Sequence, residues 1–161
     1  SAPLRSATVG RGAYGAGMQS VRSRREAVVR EHMEAENRHD FDAVIATFDH
    51  PRYELIATGQ IHDGEEEVRA YFAATRGAFP DQRNELIALH STDDGVWAEF
   101  DLLGTHEGPF LGFEPTGREF RCRMAALFVF EGEKIVSERV YFDAMTILRQ
   151  LGLLSDDVSP S

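Results

Sequence analysis

The sequence predicts an α+β domain in which helices pack on one face of a curved antiparallel sheet. Segments with the helical spacing of apolar residues occupy the chain before Pro80. Long segments of alternating residues follow Pro80, separated by turn-rich stretches, and a short amphipathic helix that ends at Gly152 comes after them. Helices first and a curved meander afterwards are typical of this fold class.

The first two predicted helices form an antiparallel pair. The first covers residues 24–38, where apolar residues recur among Arg and Glu. Asp40 is suited to cap the second, and Pro51 marks its exit. Its apolar positions recur at i, i+3, i+4 and i+7: Phe41, Val44, Ile45 and Phe48.

An extended piece at residues 52–60 leads into a third predicted helix with Asp63 at its cap position. Three glutamates occupy its first turn, where the positive end of the helix dipole favours them. We interpret them as a solvated helix start. Four antiparallel strands are then predicted at residues 83–92, 95–108, 117–130 and 134–143.

Composition limits the possible partners. A chain of 161 residues with 42% apolar residues is expected to form one domain around one core. A net charge of −10 argues against nucleic acid and acidic membranes as partners, and no apolar run reaches the ~20 residues of a membrane span. The single cysteine, Cys122, excludes an intrachain disulfide framework, so a cytoplasmic location is expected.

The terminal segments are expected to lie outside the fold. Residues 1–22 are rich in Gly, Ser and Ala and have no continuous apolar stretch, so they are predicted to be a disordered leader or a tag remnant. Residues 155–161 are predicted to be a flexible tail. The domain therefore covers residues 23–154.

Two stretches carry a family resemblance. The run "GTHEGPFLGFEPTGREF", followed at a fixed distance by "FEGEKIVSERVYFDAMTILRQLG", resembles the SnoaL-like polyketide cyclase branch of the NTF2-like superfamily. The resemblance implies a cone-shaped α+β barrel, with three N-terminal helices packed in a curved antiparallel sheet around a deep apolar pocket. It also implies a homodimer formed through the outer sheet face, and ring closure by an intramolecular aldol reaction without metal or cofactor.

The resemblance also places the family's polar pocket residues on this chain. The acid/base aspartate falls on Val140, the histidine of the preceding strand on Ala126, and the pocket asparagine on Leu55. None of these side chains can transfer a proton. A cyclase mechanism would therefore need a different acid or base.

Glu138 is the candidate for that role. If Val140 points inward, then Glu138 and Phe142 do so too, because strand side chains alternate with a period of two. A carboxylate in an apolar pocket is desolvated, which raises its pKa toward the range of a general base. The predicted pocket is lined by Leu55, Met124, Ala126, Phe128, Val140 and Phe142. Alternatively, Glu138 lies at the pocket mouth or pairs with an arginine such as Arg123 or Arg139.

The stretch "WAEFD" offers a second carboxylate. Trp97, Glu99 and Asp101 share one strand face, whereas Ala98, Phe100 and Leu102 share the other. The sequence leaves open which set faces inward, and the apolar set is favoured. With the acidic face inward, Asp101, Glu138 and Tyr53 would resemble the polar pocket of limonene epoxide hydrolases.

Two further residues are candidate auxiliary groups. His106 lies at a strand end, where it could carry a proton or satisfy a turn. Tyr53 could donate a hydrogen bond to an enolate oxygen or simply pack. The other histidines lack metal-ligand spacing, so no metal site is predicted.

Two functions from different classes remain open at this point. The first is a cofactor-free cyclase, isomerase or related lyase that acts on an apolar ketone or polyketide-type substrate, with Glu138 as base and Tyr53, Asp101 or His106 as auxiliaries. The second is a non-catalytic binding protein for an apolar metabolite. An epoxide hydrolase is a third and weaker hypothesis.

Overall fold

The computed structural model describes residues 11–154, and the predicted α+β class is confirmed. Helices pack against one face of a curved, unclosed six-stranded sheet. The elements in chain order are α1 (Arg11–Asn37), α2 (Phe41–Ala46), β1 (Arg52–Leu55), β2 (Gln60–Asp63), α3 (Glu65–Ala78), β3 (Arg83–Ser91), β4 (Gly95–Thr105), β5 (Glu119–Glu131), β6 (Lys134–Phe142) and α4 (Ala144–Gln150).

The sheet has the strand order β2-β1-β6-β5-β4-β3. The meander from β3 to β6 is antiparallel, as predicted, but β1 pairs with β6 in parallel. The sequence predicted one extended piece at residues 52–60, whereas the structure has an antiparallel hairpin of β1 and β2 there. Each strand has only four residues, which is too short for alternation to reveal a hairpin.

The first helix begins earlier than predicted. It starts at Arg11, so residues 11–22 of the predicted leader are helical in the structure. The start of the leader, residues 1–10, and the predicted tail, residues 155–161, lie outside the described residues.

Arginines hold this helix to the tips of two hairpins. Arg22 lies 2.6 Å from the carboxylate of Asp93, in the β3–β4 turn. Arg25 donates to the carbonyl of Gly132, in the β5–β6 turn, at 2.8 Å. Because adding a turn to an existing helix is easier than starting one, these anchors allow the helix to extend toward Arg11.

Side-chain caps start two of the helices. Asp40 accepts a hydrogen bond from the backbone N–H of Ala43 at 3.1 Å, which confirms its predicted role at α2. Asp143 accepts from the N–H of Met145 at 3.0 Å and ends β6 by starting α4. Each cap satisfies an N–H group that has no partner within the helix.

The cap of α3 differs from the prediction. Gly64 occupies the N-cap position with φ of 92°, and the preceding Asp63 ends β2. The carboxylate of Asp63 instead pairs with His50 and Arg52, and its N–H donates to Glu67. One of the three first-turn glutamates therefore holds the helix start in place.

The core lies between the helices and the inner face of the sheet. On β5 the inner residues are the even-numbered ones, from Phe120 to Phe130, and all of them are buried. Val29 and Met33 of α1, together with Val68 and Phe72 of α3, cover that face. Among the described residues, no helix is long and apolar enough to cross a membrane.

Candidate active site

A group of polar side chains lies within this otherwise apolar core. His32 and Glu36 come from α1, Thr47 follows α2, Tyr53 belongs to β1 and Glu138 to β6. His32 is fully buried, and Tyr53 and Glu138 are 3% and 4% exposed. We call these five residues the buried polar cluster.

Helix spacing and sheet register bring the cluster together. His32 and Glu36 are four residues apart and therefore share one face of α1, which packs on the sheet. Tyr53 lies directly opposite Glu138 in the parallel β1–β6 pair, and Phe128 of β5 lies on the other side of Glu138. The parallel pair is thus the feature that places a phenol beside the carboxylate.

Thr47 fixes the orientation and protonation of the His32 ring. The Thr47 hydroxyl donates to the carbonyl of Val44 at 2.6 Å, so its oxygen must accept from the Nδ1–H of His32 at 2.8 Å. The Nε2 atom of His32 then faces three oxygens. They are Oε1 of Glu36 at 3.0 Å, the hydroxyl of Tyr53 at 3.0 Å, and Oε2 of Glu138 at 3.2 Å.

His32 carries a positive charge at neutral pH. Burial alone would lower its pKa, but the two carboxylates of Glu36 and Glu138 outweigh burial and raise the pKa from 6.5 to about 10. Glu36 responds in the opposite direction. Burial would raise its pKa, yet the charge and hydrogen bond of His32 lower it below its usual value, so Glu36 stays ionised.

Glu138 is the carboxylate with a raised pKa, and burial is the main cause. Attraction to His32 opposes this effect without cancelling it. Although Oε2 of Glu138 lies within ion-pair distance of His32 Nε2, their geometry is not that of a hydrogen bond, and no other described residue donates to this oxygen. Glu138 therefore has a buried oxygen that can still accept a proton.

Tyr53 completes the cluster as a neutral hydrogen-bond donor. Its hydroxyl donates to Oε1 of Glu36 at 2.9 Å. Burial raises the pKa of Tyr53 well above its usual value, and the charges of Glu138 and Glu36 raise it further. Together these residues combine a fixed positive charge, a neutral phenol and a carboxylate of raised pKa, which are the components of general acid–base chemistry.

The cluster also has the composition of some metal sites. One ligand atom each from His32, Glu36 and Glu138 lie within 4.8 Å of one another. The hydrogen bonds and charges within the cluster account for this spacing without an ion. The absence of a metal, which the sequence predicted, stays a prediction.

The structure buries the predicted pocket residues in the core. Leu55, Val140 and Ala126 are adjacent in one row across three strands, with Met124 and Phe128 on either side of Ala126 along β5. Phe142 is partly buried and packs against the core. The inward alternation of β6 is thus observed at Glu138 and Val140, whereas a ligand pocket between these side chains stays a prediction.

Two cavities among the described residues lie away from this row. One, of about 430 Å³, includes Trp97, Glu99 and Arg123 and opens on the outer face of the sheet. The other, of about 340 Å³, lies beside Met18 and Val21 of α1. Around His32, the rings of Phe48 and Phe128 pack edge-on at 5.4 and 5.2 Å between centroids.

Asp101 lies on the opposite face of the sheet from Glu138. It is paired in register with Arg123 and accepts hydrogen bonds from Arg123 at 2.6 Å and from Arg121 at 2.7 Å. These hydrogen bonds are the first cause of its lowered pKa. The inward set of β4 is the favoured apolar one, so the epoxide-hydrolase arrangement of Asp101, Glu138 and Tyr53 is not formed.

The alternative partners predicted for Glu138 are also engaged elsewhere. Arg123 binds Glu99 and Asp101 on the outer face, and Arg139 binds Glu54 at 3.1 Å. The expectation that Glu138 pairs with either arginine is therefore wrong. Its partner is His32, because residue 138 faces inward and both arginines face outward.

His106 is buried but lies in a different aromatic group. Its Nδ1 accepts from the backbone N–H of Thr116 at 3.2 Å, which ties the strand end to the loop that follows. Its ring packs against Phe79 and Phe110. The structure brings Tyr53 to Glu138 but does not bring His106 or Asp101 there.

Sequence reasoning missed His32, Glu36 and Thr47. A signal was present, since Val29, His32, Met33 and Glu36 recur at i, i+3, i+4 and i+7, which is the pattern of one buried helix face. A histidine and a glutamate on that face require partners in the core. Glu138, a charged residue at an inward-facing position of β6, is the matching signal on the sheet.

Comparisons with known proteins agree with this fold. AclR from Streptomyces galilaeus, described as a proposed hydroxylase, has 23% identity and a TM-score of 0.73, with 84% of this chain and 89% of that chain covered. IdmH from Streptomyces antibioticus, described as a proposed polyketide cyclase, has 26% identity and a TM-score of 0.69, with 79% and 97% covered.

A protein from Catenulispora acidiphila with a ketosteroid isomerase-like fold has 23% identity and a TM-score of 0.69, with 83% and 97% covered. A search of curated proteins found no significant match. Residues 26–151 match the family model described as SnoaL-like polyketide cyclase. The chain therefore belongs to the SnoaL-like polyketide cyclase family.

Proposed function

We propose that this protein is a cofactor-free cyclase or isomerase that moves a proton on an apolar ketone or polyketide-type substrate, with Glu138 as the acid/base. The observation that supports this role is the unsatisfied Oε2 of a carboxylate that is 4% exposed. Its raised pKa makes it a stronger base than an ordinary carboxylate, as a group that takes and returns a proton requires.

In the proposed first step, Glu138 takes a proton from the carbon next to a ketone. The C–H bond breaks, an O–H bond forms on Oε2, and the electron pair moves to the ketone oxygen to give an enolate. His32 and Tyr53 supply the positive charge and the hydroxyl that stabilise this oxygen. Glu36 keeps His32 protonated and in position.

The second step distinguishes the two reactions. In cyclisation the enolate carbon attacks a second carbonyl of the same molecule, and Glu138 returns its proton to the new alkoxide. In isomerisation Glu138 returns the proton to a different carbon. Both outcomes conserve mass, and neither needs an oxidant or a second substrate.

The position of the cluster relative to the family's polar residues supports this proposal. The resemblance places the family's aspartate at Val140 and its asparagine at Leu55. In this chain Glu138 and Tyr53 lie two residues earlier on the same two strands and point to the same face. His32 supplies, from α1, the imidazole that Ala126 cannot.

A non-catalytic binding protein for an apolar metabolite is the second candidate. The row of Leu55, Val140 and Ala126 favours it, because three apolar side chains stand where the family has polar ones. In that case the buried polar cluster would hold the core together rather than react with a ligand.

A homodimer formed through the outer sheet face is also part of the proposal. Tyr141 is 39% exposed there and lies 5.6 Å from Trp97 between ring centroids, beside the outer cavity. Arg123 and Arg139 flank these rings as candidate contacts. Sedimentation of the wild type and of Tyr141→Asp would test the dimer.

The enzyme and binding proposals are separated by one experiment. Wild type and Glu138→Gln are offered a panel of polyketide esters, enones and epoxides, and products are followed by liquid chromatography and mass spectrometry. The proposal expects products of unchanged mass and a loss of about 100-fold or more in Glu138→Gln, the scale of a general base. Saturable binding without product in either protein would favour the binding module, and a gain of water would indicate hydrolysis.

A further inference from the structure

Arg76, near the end of α3, has a guanidinium that packs on aromatic rings and is only partly hydrogen-bonded. It is partly buried, and its guanidinium lies 5.1 Å from the ring centroid of Phe41 and 5.5 Å from that of Phe72. These two rings are themselves stacked at 4.6 Å. The aromatic contacts and the hydrogen bond from Nη1 to Thr75 hold the guanidinium plane in one orientation.

The remaining edge of this guanidinium has no acceptor. Nε of Arg76 is buried without a hydrogen-bond partner, and no hydrogen bond joins Nη2 to any described residue. Within the part of the chain that the structure describes, no carboxylate lies within ion-pair distance of Arg76. On the same helix, in contrast, Arg69 pairs with both Asp42 and Glu65.

An arginine edge of this kind matches a carboxylate. Nε–H and Nη2–H are parallel donors that bind the two oxygens of one carboxylate together. A buried donor without a partner destabilises the folded protein, and an acceptor that binds to this donor removes the penalty. Nε is buried whereas Nη2 is not, so a carboxylate that bridges the two nitrogens can reach this edge from the Nη2 side.

The interior next to Arg76 leads to the buried polar cluster. Phe72, which contacts Arg76, packs edge-on against Tyr53 at 5.6 Å between ring centroids. Tyr53 in turn is hydrogen-bonded to His32 and Glu36. One aromatic ring therefore separates the unpartnered guanidinium from the acid/base groups.

We propose that the Nε and Nη2 edge of Arg76 binds a carboxylate of the substrate, so that the substrate class is an apolar keto acid anchored one ring away from the buried polar cluster. The proposal rests on the proposed function, since it names the substrate class of the same site. Binding to Arg76 would hold the acid end while the apolar body reaches the cluster.

The test compares two probes of the same ring system, 2-naphthoate and the neutral 2-naphthamide, by isothermal titration calorimetry at neutral pH. Wild type is expected to bind 2-naphthoate about 10- to 100-fold more tightly, the range of a hydrogen-bonded charge pair. Arg76→Gln is expected to lose this preference. Arg69→Gln removes the same charge from α3, but at an arginine that already has carboxylate partners, so this variant is expected to keep the preference for 2-naphthoate. Glu138→Gln is expected to keep the preference too.

Two results would overturn the proposal: equal binding of both probes by wild type, or a preference that survives in Arg76→Gln. If Arg76→Gln does not fold, Arg76→Lys takes its place, because lysine keeps the charge but lacks the two parallel donors of a guanidinium. An undiminished preference for 2-naphthoate in Arg76→Lys would also contradict bidentate binding. In the wild type, the Nε–H resonance of Arg76 should shift with 2-naphthoate and not with 2-naphthamide. Loss of turnover in Glu138→Gln without any carboxylate preference would leave the proposed function standing and remove this inference alone.

Discussion

Replacing Glu138 with Gln should lower the pKa of His32 from about 10 toward the neutral range. The carboxylate oxygen lies 3.2 Å from the ring nitrogen, and at an effective dielectric constant of about 20 this attraction is worth about 5 kcal/mol. Since about 1.4 kcal/mol changes a pKa by one, losing this attraction should lower the pKa of His32 clearly below 10, while the charge of Glu36, the larger of the two raising causes, still opposes the decrease.

The assay is a pH titration of the histidine ring nitrogens by NMR, in wild type and in Glu138→Gln. Glu34→Gln is the matched control, because Glu34 lies two residues from His32 on α1 but is exposed. We expect the control to leave the pKa of His32 unchanged. A wild-type His32 that titrates near 6.5, or one that responds equally to both variants, would refute the charge arrangement of the cluster.

Three further predictions concern stability and ions. Because the pKa of His32 is raised in the folded protein, its contribution to stability is complete below pH 6.5 and is lost as the pH rises to about 10. Urea titrations should therefore show the free energy of unfolding falling by up to about 5 kcal/mol across that window, and a flat profile would contradict this. The control His50→Gln, at an exposed histidine, should leave the slope of this profile unchanged. Asp101→Asn removes the acceptor of two largely exposed arginines, so calorimetry should show a small loss of stability while turnover stays as in wild type; loss of turnover would place Asp101 in the site after all. Zinc or a chelator should leave the melting temperature unchanged, and a rise with zinc would show that the cluster of His32, Glu36 and Glu138 holds a metal.

Much of the fold follows from local patterns. The helices α1 to α3 and the four long strands carry strong periodicity, and the alternation of β6 correctly predicts that Glu138 faces inward. The β1–β2 hairpin and its parallel pairing with β6 do not follow, because four-residue strands carry too little pattern and their neighbour is chosen by packing.

Only part of the site could be predicted from the sequence, because the rest depends on which strands and helices pack together. Glu138 and Tyr53 could be identified from strand position, but their contact depends on the parallel pair. The partner of Glu138 could not be found among nearby arginines, because it comes from a helix 106 residues earlier, at His32. Outward-facing Asp101 shows the converse, since only the register distinguishes a site carboxylate from one in a surface ion-pair network.

The central claim is that Glu138 removes a proton from carbon, and deuterium exchange tests it directly. An enolisable apolar ketone is incubated in heavy water with wild type, Glu138→Gln or the outer-face control Asp101→Asn, and incorporation next to the carbonyl is followed by mass spectrometry. We predict enzyme-dependent exchange in wild type and Asp101→Asn and a rate at least about 100-fold lower in Glu138→Gln. Equal exchange rates in wild type and Glu138→Gln would contradict the claim.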